Sequence, residues 1–212
     1  MSLAEVKTRR RRLTRAEQRA ETRTRLLDSA VEVCARRGLH AARVEEIAER
    51  AGYSTGAIYS NFEGKDDLLL AVFEQRLEPH LQALARPLVE ARTAAEQARA
   101  SSAFIGRLLA EERPYMLLLC DFWSYAAREG RVRERFARVR RSRRAAIQAM
   151  IDERVERLDT PLVRSPAELA AGFVTLAVGV LFEGLADPDL DAEGLYASMF
   201  TLLSEAAVAR GR

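Results

Sequence analysis

The sequence predicts an all-α protein of about nine helices, with a small N-terminal helical domain followed by a larger one. Apolar residues recur at helical spacing in segment after segment, as at Leu26, Leu27, Ala30, Val31 and Cys34. Glycine, proline and capping residues punctuate these segments where helices start and stop. No run alternates apolar and polar residues as a half-buried strand does, and no internal repeat is visible.

The 212 residues suffice for a sizeable core. At 48% hydrophobic and 31% charged, the composition is that of an ordinary globular chain. The N-terminus is basic but no apolar segment follows it, so a signal peptide is not expected and a cytoplasmic location is. Cys34 and Cys120 each fall in an apolar helical pattern, which predicts buried free thiols rather than a disulfide. His40 and His80 are the only histidines and no CxxC occurs, so neither a metal nor another cofactor is expected. Charge is uneven. Residues 1–65 carry 14 Lys and Arg against 9 Asp and Glu, the remainder 20 against 22, which fits a nucleic-acid end joined to something else.

Residues 1–13 include four arginines at 9–12 and no core pattern, which predicts a disordered basic arm. Such an arm either reaches DNA phosphates or a minor groove, or serves only as a solubilising tail. Thr14 and Glu17 have capping-box spacing and open a helix that stops at Gly38. Arg23 and Arg25 lie on its polar part, where phosphate contact and plain solvation both suit them.

The stretch 44–70, VEEIAERAGYSTGAIYSNFEGKDDLLL, reads as helix, tight turn, short helix and the start of a long helix. Val44, Ile47, Ala48 and Ala51 share a helical face, and Gly52 ends that run where only glycine adopts a left-handed backbone cheaply. Ser54 suits the N-cap of the short helix, which turns Ile58 inward and ends near Phe62. Small Ala48, turn Gly52 and apolar Ile58 stand where a helix-turn-helix needs them. Thr55, Gly56, Ala57, Tyr59 and Ser60 remain outward; the small ones let a helix press into a major groove, and hydroxyls bond bases or phosphates. Lys65 opens the next helix, ahead of Asp66 and Asp67. A cation there opposes the helix dipole at a cost of roughly a few tenths of a kcal/mol. A phosphate bound at that helix start explains it; a solvated lysine is the plainer alternative.

The segment AGYSTGAIYSNFEGKDDLL resembles the DNA-binding signature of TetR-family regulators, over about residues 23–73. Helix-turn-helix, Tyr59, Phe62 and Lys65 occur together in it. One position departs: the residue before the first motif helix is often Ser or Thr in that family and is Arg43 here, which cannot accept a capping bond but can meet a phosphate. The resemblance implies an all-helical homodimer on a palindromic DNA operator, repressing until a small ligand releases it. It implies DNA contacts at Arg43, Ser54, Thr55, Gly56, Ala57, Tyr59, Ser60, Asn61 and Lys65, with Thr55, Gly56 and Ala57 nearest the base edges. It divides the chain into a DNA-binding domain at 14–64, a connecting helix at 65–86 and a ligand-binding and dimerisation domain at 87–212.

The helix from Lys65 continues through Leu69, Val72, Phe73 and Arg76, and Pro79 should bend or end it. It is expected to be the only link between the DNA-reading unit and the rest. A helix follows from about Thr93 to Glu112, with Ala98, Ile105, Leu108 and Leu109 inward, and Pro114 starts another. That one, PYMLLLCDFWSYAAREG, is apolar almost all round and predicts deep burial. Its aromatic and sulfur side chains are either plain core or the lining of an apolar cavity. The candidates for ligand contact are Phe104, Leu108, Met116, Cys120, Trp123, Met150 and Phe173, which favours a hydrophobic or aromatic ligand.

Gly130 precedes a long helix over about 131–158, whose apolar face runs from Val132 to Leu158. Arg131, Arg133, Arg135, Arg138, Arg140, Arg141, Arg143 and Arg144 form either a solvated face paired with nearby Glu or a second surface for nucleic acid or an acidic ligand. Ser165 and Pro166 then cap and start a helix. Its run 169–182 has almost no polar atoms, is too short to span a membrane, and needs apolar partners on every side. After the break at Asp187 and Pro188, a last helix covers about 192–209. These two helices predict a four-helix dimer interface through Gly172, Leu176, Gly179, Val180, Met199, Phe200 and Leu203.

No nucleophile–base pair, phosphate loop or metal set is present, and Glu111, Glu112 and Glu183 are isolated carboxylates, so an enzyme is not expected. The alternative to a ligand-released regulator is a DNA-binding protein with no small effector, controlled by a protein partner or by abundance.

Overall fold

The computed structural model describes residues 14–159 and 161–208, so the expected basic arm lies outside the described residues. Among these are nine helices: α1 (Arg15–Arg37), α2 (Val44–Ala51), α3 (Thr55–Asn61), α4 (Lys65–Glu90), α5 (Ala94–Glu111), α6 (Arg113–Arg128), α7 (Gly130–Leu158), α8 (Pro166–Ala186) and α9 (Ala192–Ala207). Among the described residues the one extended pairing is an isolated bridge between Leu162 and Val208.

Local chemistry sets most helix ends. Thr14 and Glu17 form the expected reciprocal capping box, and Thr93 with Glu96 and Ser165 with Glu168 form two more. Gly52 closes α2 in the left-handed conformation at φ 78°, with its N–H on the carbonyls of Ala48 and Glu49. Cys34 is buried and Cys120 half-buried, and both are free thiols. Burial pushes the Cys34 thiol up to about 11, so it is inert at neutral pH.

Helices α1 to α3 close on a small core of Leu26, Ala30, Val33, Ile47 and Ile58, which continues into Leu68 to Phe73 of α4. Pro79 does not end α4, which runs on through Pro79 and Pro87 to Glu90. Packing of α4 against α1, α5 and α7 holds the helix where two ladder hydrogen bonds are missing, one at each proline. The larger unit sets α5 on α9 and α7 on α8.

The connecting helix is not the only link. Helix α6 packs directly on α1, and Asp121 accepts the backbone N–H of Leu39, just past the end of α1, at 3.1 Å. The Tyr125 hydroxyl donates to Asp66 at 3.1 Å, and Arg135 pairs with Asp67 at 2.5 Å. These partners lie 59 to 82 residues apart in sequence, beyond the reach of spacing rules.

The apolar run 169–182 of α8 is by itself too short to cross a membrane. It is extended at both ends into a 21-residue helix that is long and apolar enough to do so. Here that helix packs on α5, α6, α7 and α9, yet only 22% of its most apolar window is buried.

Candidate DNA-reading surface and effector cavity

Helix α3 is seven residues long and anchored by one fully buried side chain, Ile58. Ser54, Gly56 and Ser60 are exposed, Tyr59 is 60% exposed, and Thr55, Ala57 and Asn61 are half-buried. The expected reading face is therefore turned outward as one surface. Ser54 occupies the N-cap position but makes no capping bond, which leaves its hydroxyl open to an external acceptor or phosphate. Arg43 likewise caps α2 in position only, and its exposed guanidinium has no partner among the described residues. Ser60 Oγ and Asn61 Nδ2 both donate back to the Ala57 carbonyl, at 2.9 and 2.8 Å, so they offer lone pairs outward more readily than protons.

Two residues of α1 hold the far end of α3. Arg19 donates to the Ser60 carbonyl at 3.4 Å and Arg23 to the Asn61 carbonyl at 3.1 Å, satisfying orphan groups at a helix C-terminus with cations. Arg23 also lies over the Phe62 ring, 4.4 Å from its centroid. Its guanidinium thus has a structural role at the end of α3 rather than plain solvation. Arg25 pairs with Glu21 along the helix surface.

Lys65 departs from expectation in its reason for being there. Its Nζ donates to the carbonyls of Leu39 at 2.5 Å and Ala42 at 2.6 Å, tying the loop between α1 and α2 to the start of α4. Those carbonyls, rather than an external anion alone, explain a cation at a helix N-terminus. One N–H remains for a phosphate.

Helices α4 to α9 enclose a cavity of about 320 Å³. Phe104, Leu108, Met116, Met150 and Phe173 line it as expected. Cys120 and Trp123 do not: the cavity lies beside the N-terminal half of α6, and these two stand about one and two turns beyond Met116. Trp123 packs edge-on against Phe136 and Phe182. The wall also holds His80, Tyr115 and Tyr196, which the sequence did not mark, and Arg140 and Arg143 from the arginine cluster of α7.

His80 is the centre of a buried network. Arg143 donates to its Nδ1 at 3.3 Å, which requires an unprotonated Nδ1 and places the ring proton on Nε2. Nε2 then donates to Glu112 at 3.1 Å. Glu112 also meets Arg76 at 3.5 Å, and Arg76 reaches Asp28 of α1 at 3.4 Å. Burial, with help from Arg143 and Arg76, holds the His80 pKa below its usual value against the pull of Glu112. A line of polar contacts thus runs from the cavity wall to α1. His80 follows Arg76 by four residues, a spacing legible in sequence, but Glu112 and Arg143 are 32 and 63 residues away from it.

On the outer side of α8 and α9, Gly172, Gly179, Met199 and Leu203 are exposed, together with Leu195 and 58%-exposed Leu202. Leu176 is half-buried. Val180 and Phe200 do not belong to this face: they are 4% and 5% exposed within the protomer, and Phe200 stacks on Phe173 against the cavity. Among the described residues, no group of three or more His, Cys, Asp or Glu is placed to hold a metal ion.

Residues 26–72 match the family model described as bacterial regulatory proteins, tetR family. The chain is 35% identical over 72 residues to the fatty acid metabolism regulator protein of Bacillus subtilis, a match covering 34% of this chain and 37% of that one. It is 28% identical over 172 residues to the HTH-type transcriptional regulator BetI of Vibrio campbellii, covering 79% and 83%. The chain spans between 27% and 50% of the length of four curated relatives it matches. Among solved structures, the transcriptional regulator FadR of Bacillus subtilis in complex with stearoyl-CoA shares the fold at a TM-score of 0.72 and 20% identity, over 86% of this chain and 98% of that one.

Proposed function

We propose, since the chain belongs to the tetR family of bacterial regulatory proteins, that it is a homodimeric repressor released from a palindromic DNA operator by a small apolar or aromatic ligand. The observation that carries the DNA reading is α3 itself. It is a short helix with one buried anchor, an outward face of small and hydroxylic residues, and a C-terminal end held by Arg19 and Arg23 of α1. Thr55, Gly56 and Ala57 approach base edges. Arg43, Ser54, Tyr59, Ser60, Asn61 and Lys65 hold the phosphate backbone.

The bare apolar stripe of Leu195, Met199 and Leu202 on α9, beside Gly172 and Gly179 of α8, supports a second copy as the dimer partner. A two-fold dimer presents two α3 helices, and a palindrome one helical turn apart (about 34 Å) fits that symmetry. The cavity supports a ligand, and a solved neighbour with the same fold is a complex with stearoyl-CoA. Occupation of the cavity shifts α6 and α4, and so the spacing of the two α3 helices.

The test is fluorescence anisotropy of the purified protein on DNA from upstream of its own gene, with a scrambled duplex at the same physiological salt. The expected result is a preference of about a thousandfold or more for the upstream DNA, saturating at two or four chains per site. Equal weak binding to both duplexes, persisting after solvent extraction of any carried ligand, overturns the reading for that operator.

A further inference from the structure

We infer that the cavity is built for an amphipathic organic anion, a carboxylate carried on an apolar body, with the carboxylate seated between Arg140 and Arg143. This deepens the reading of the cavity as a ligand site and rests on it.

Arginines do not belong in an apolar wall without a reason. A guanidinium taken out of water requires a counter-charge or a set of acceptors. Arg154, elsewhere on the same wall, has them: it donates to the carbonyls of Ala91 and Arg92. Arg140 does not. Among the described residues it makes no hydrogen bond and no ion pair; its one specific contact is the face of Trp123, 4.6 Å from the ring centroid. A cation–π contact attracts the cation to the ring face but does not neutralise its charge. The guanidinium lies in a positive field. Burial, and then Arg143 and Arg144, lower its pKa to about 10, an environment that disfavours the cation it carries.

Arg143 stands three residues along the same helix and also lines the cavity. It uses one N–H on His80 and has no carboxylate partner among the described residues. Glu112, the carboxylate bonded to His80, is already shared with Arg76. Arg76 is also paired with Asp28, so the positive charge without a carboxylate partner among the described residues sits on Arg140 and Arg143, the two that line the cavity. The Tyr115 hydroxyl lines it too, makes no hydrogen bond among the described residues, and supplies a further donor. Two planar forks and a phenol suit a carboxylate, which accepts on both oxygens. The rest of the wall, from Phe104, Leu108, Met116, Met150 and Phe173, suits hydrocarbon.

The experiment uses the full-length protein and two probes of equal chain length, dodecanoate and dodecan-1-ol, with binding followed by calorimetry. Dodecanoate is expected to bind at least about tenfold more tightly than the alcohol, as charge-assisted bonds to a desolvated guanidinium require. In Arg140→Leu that preference is expected to vanish while the alcohol binds as before. Should Arg140→Leu misfold, Arg140→Gln is read in the same way, since it removes the charge and keeps a polar chain. Equal affinity for acid and alcohol in the unaltered protein overturns the inference and leaves the cavity as an apolar ligand site. The same holds if the preference survives Arg140→Leu. Failure of both probes to bind overturns the inference and the cavity reading together.

Discussion

Replacing Lys65 by methionine separates two roles that the sequence merges. The stem is kept and the ammonium removed. Two hydrogen bonds from a charged donor are lost, to the carbonyls of Leu39 and Ala42. Such bonds are worth about 1.5–3 kcal/mol each when dry. Lys65 is half-buried, and water re-enters to satisfy part of the deficit, so the pair contributes about 2 kcal/mol. For a chain of this size that lowers Tm by about 4–8 °C. The second role is the remaining N–H on a phosphate. Its loss shallows the slope of log affinity against log salt by about 0.9 per contact on B-DNA. The assays are thermal melts at fixed protomer concentration and operator anisotropy across a salt series. An unchanged Tm refutes the pinning of the loop between α1 and α2; an unchanged slope refutes the phosphate contact; the two results are independent.

Gly56→Leu is expected to leave the fold intact, because an added Cβ meets the Ser54 hydroxyl at 3.6 Å, an ordinary contact. Operator affinity should fall by about a thousandfold, to the non-specific level, and retained affinity would show that α3 does not enter the groove. Leu202→Glu places a charge on a side chain that is 58% exposed in the protomer, so folding should be unaffected. The dimer dissociation constant should rise by about a hundredfold in sedimentation experiments, and an unchanged dimer would move the interface off α9. His80 titrates below its usual value of 6.5 because it is buried, with Arg143 and Arg76 nearby, so the unfolded chain takes up the proton first. Its contribution to stability is thus complete above about pH 6.5 and lost as pH falls toward the depressed folded value; His80→Gln should flatten that part of the urea-midpoint profile, and an unchanged profile would assign it to other groups.

What was legible in the sequence was what local rules govern. The Thr14–Glu17 box, the left-handed Gly52, the Ser165–Pro166 start and the inward Ile58 depend on residues within one or two turns of each other. The outward face of α3 follows from the same spacing. Illegible features depend on rotation or on distant partners. Helix α8 is apolar on every side, so spacing alone did not tell Val180, which faces its own protomer, from Gly172 and Gly179, which do not. Cys120 and Trp123 share a stripe with Met116 but lie beyond the end of the cavity, and the length of a cavity is not written in periodicity. Pro79 weakens a helix locally, and burial along α4 outweighs it. The arginines of α7 looked like one class and are several: Arg135 pairs with Asp67, Arg143 holds His80, and Arg140 lies over Trp123 at the cavity.

Under the proposed function, the contacts between the cavity wall and α1 offer a route from the cavity to α3. Glu112 is the joint between α5 and α6, the last residue of one cap and the first of the next, at φ −115° and ψ 24°. A ligand that moves either helix moves Glu112, and with it Arg76 and the contact to Asp28 on α1. Helix α6 carries a second lever, because Asp121 holds the N–H of Leu39 while Lys65 holds its carbonyl. Both levers therefore act on α1 and the loop at its end. Helix α1 in turn grips the last carbonyls of α3 through Arg19 and Arg23. The coupling needs no long spring, since α1 is one rigid element touched by the cavity network and by α3. Reciprocity follows: if the ligand weakens operator binding by a given factor, the operator must weaken ligand binding by the same factor, typically about 5- to 150-fold.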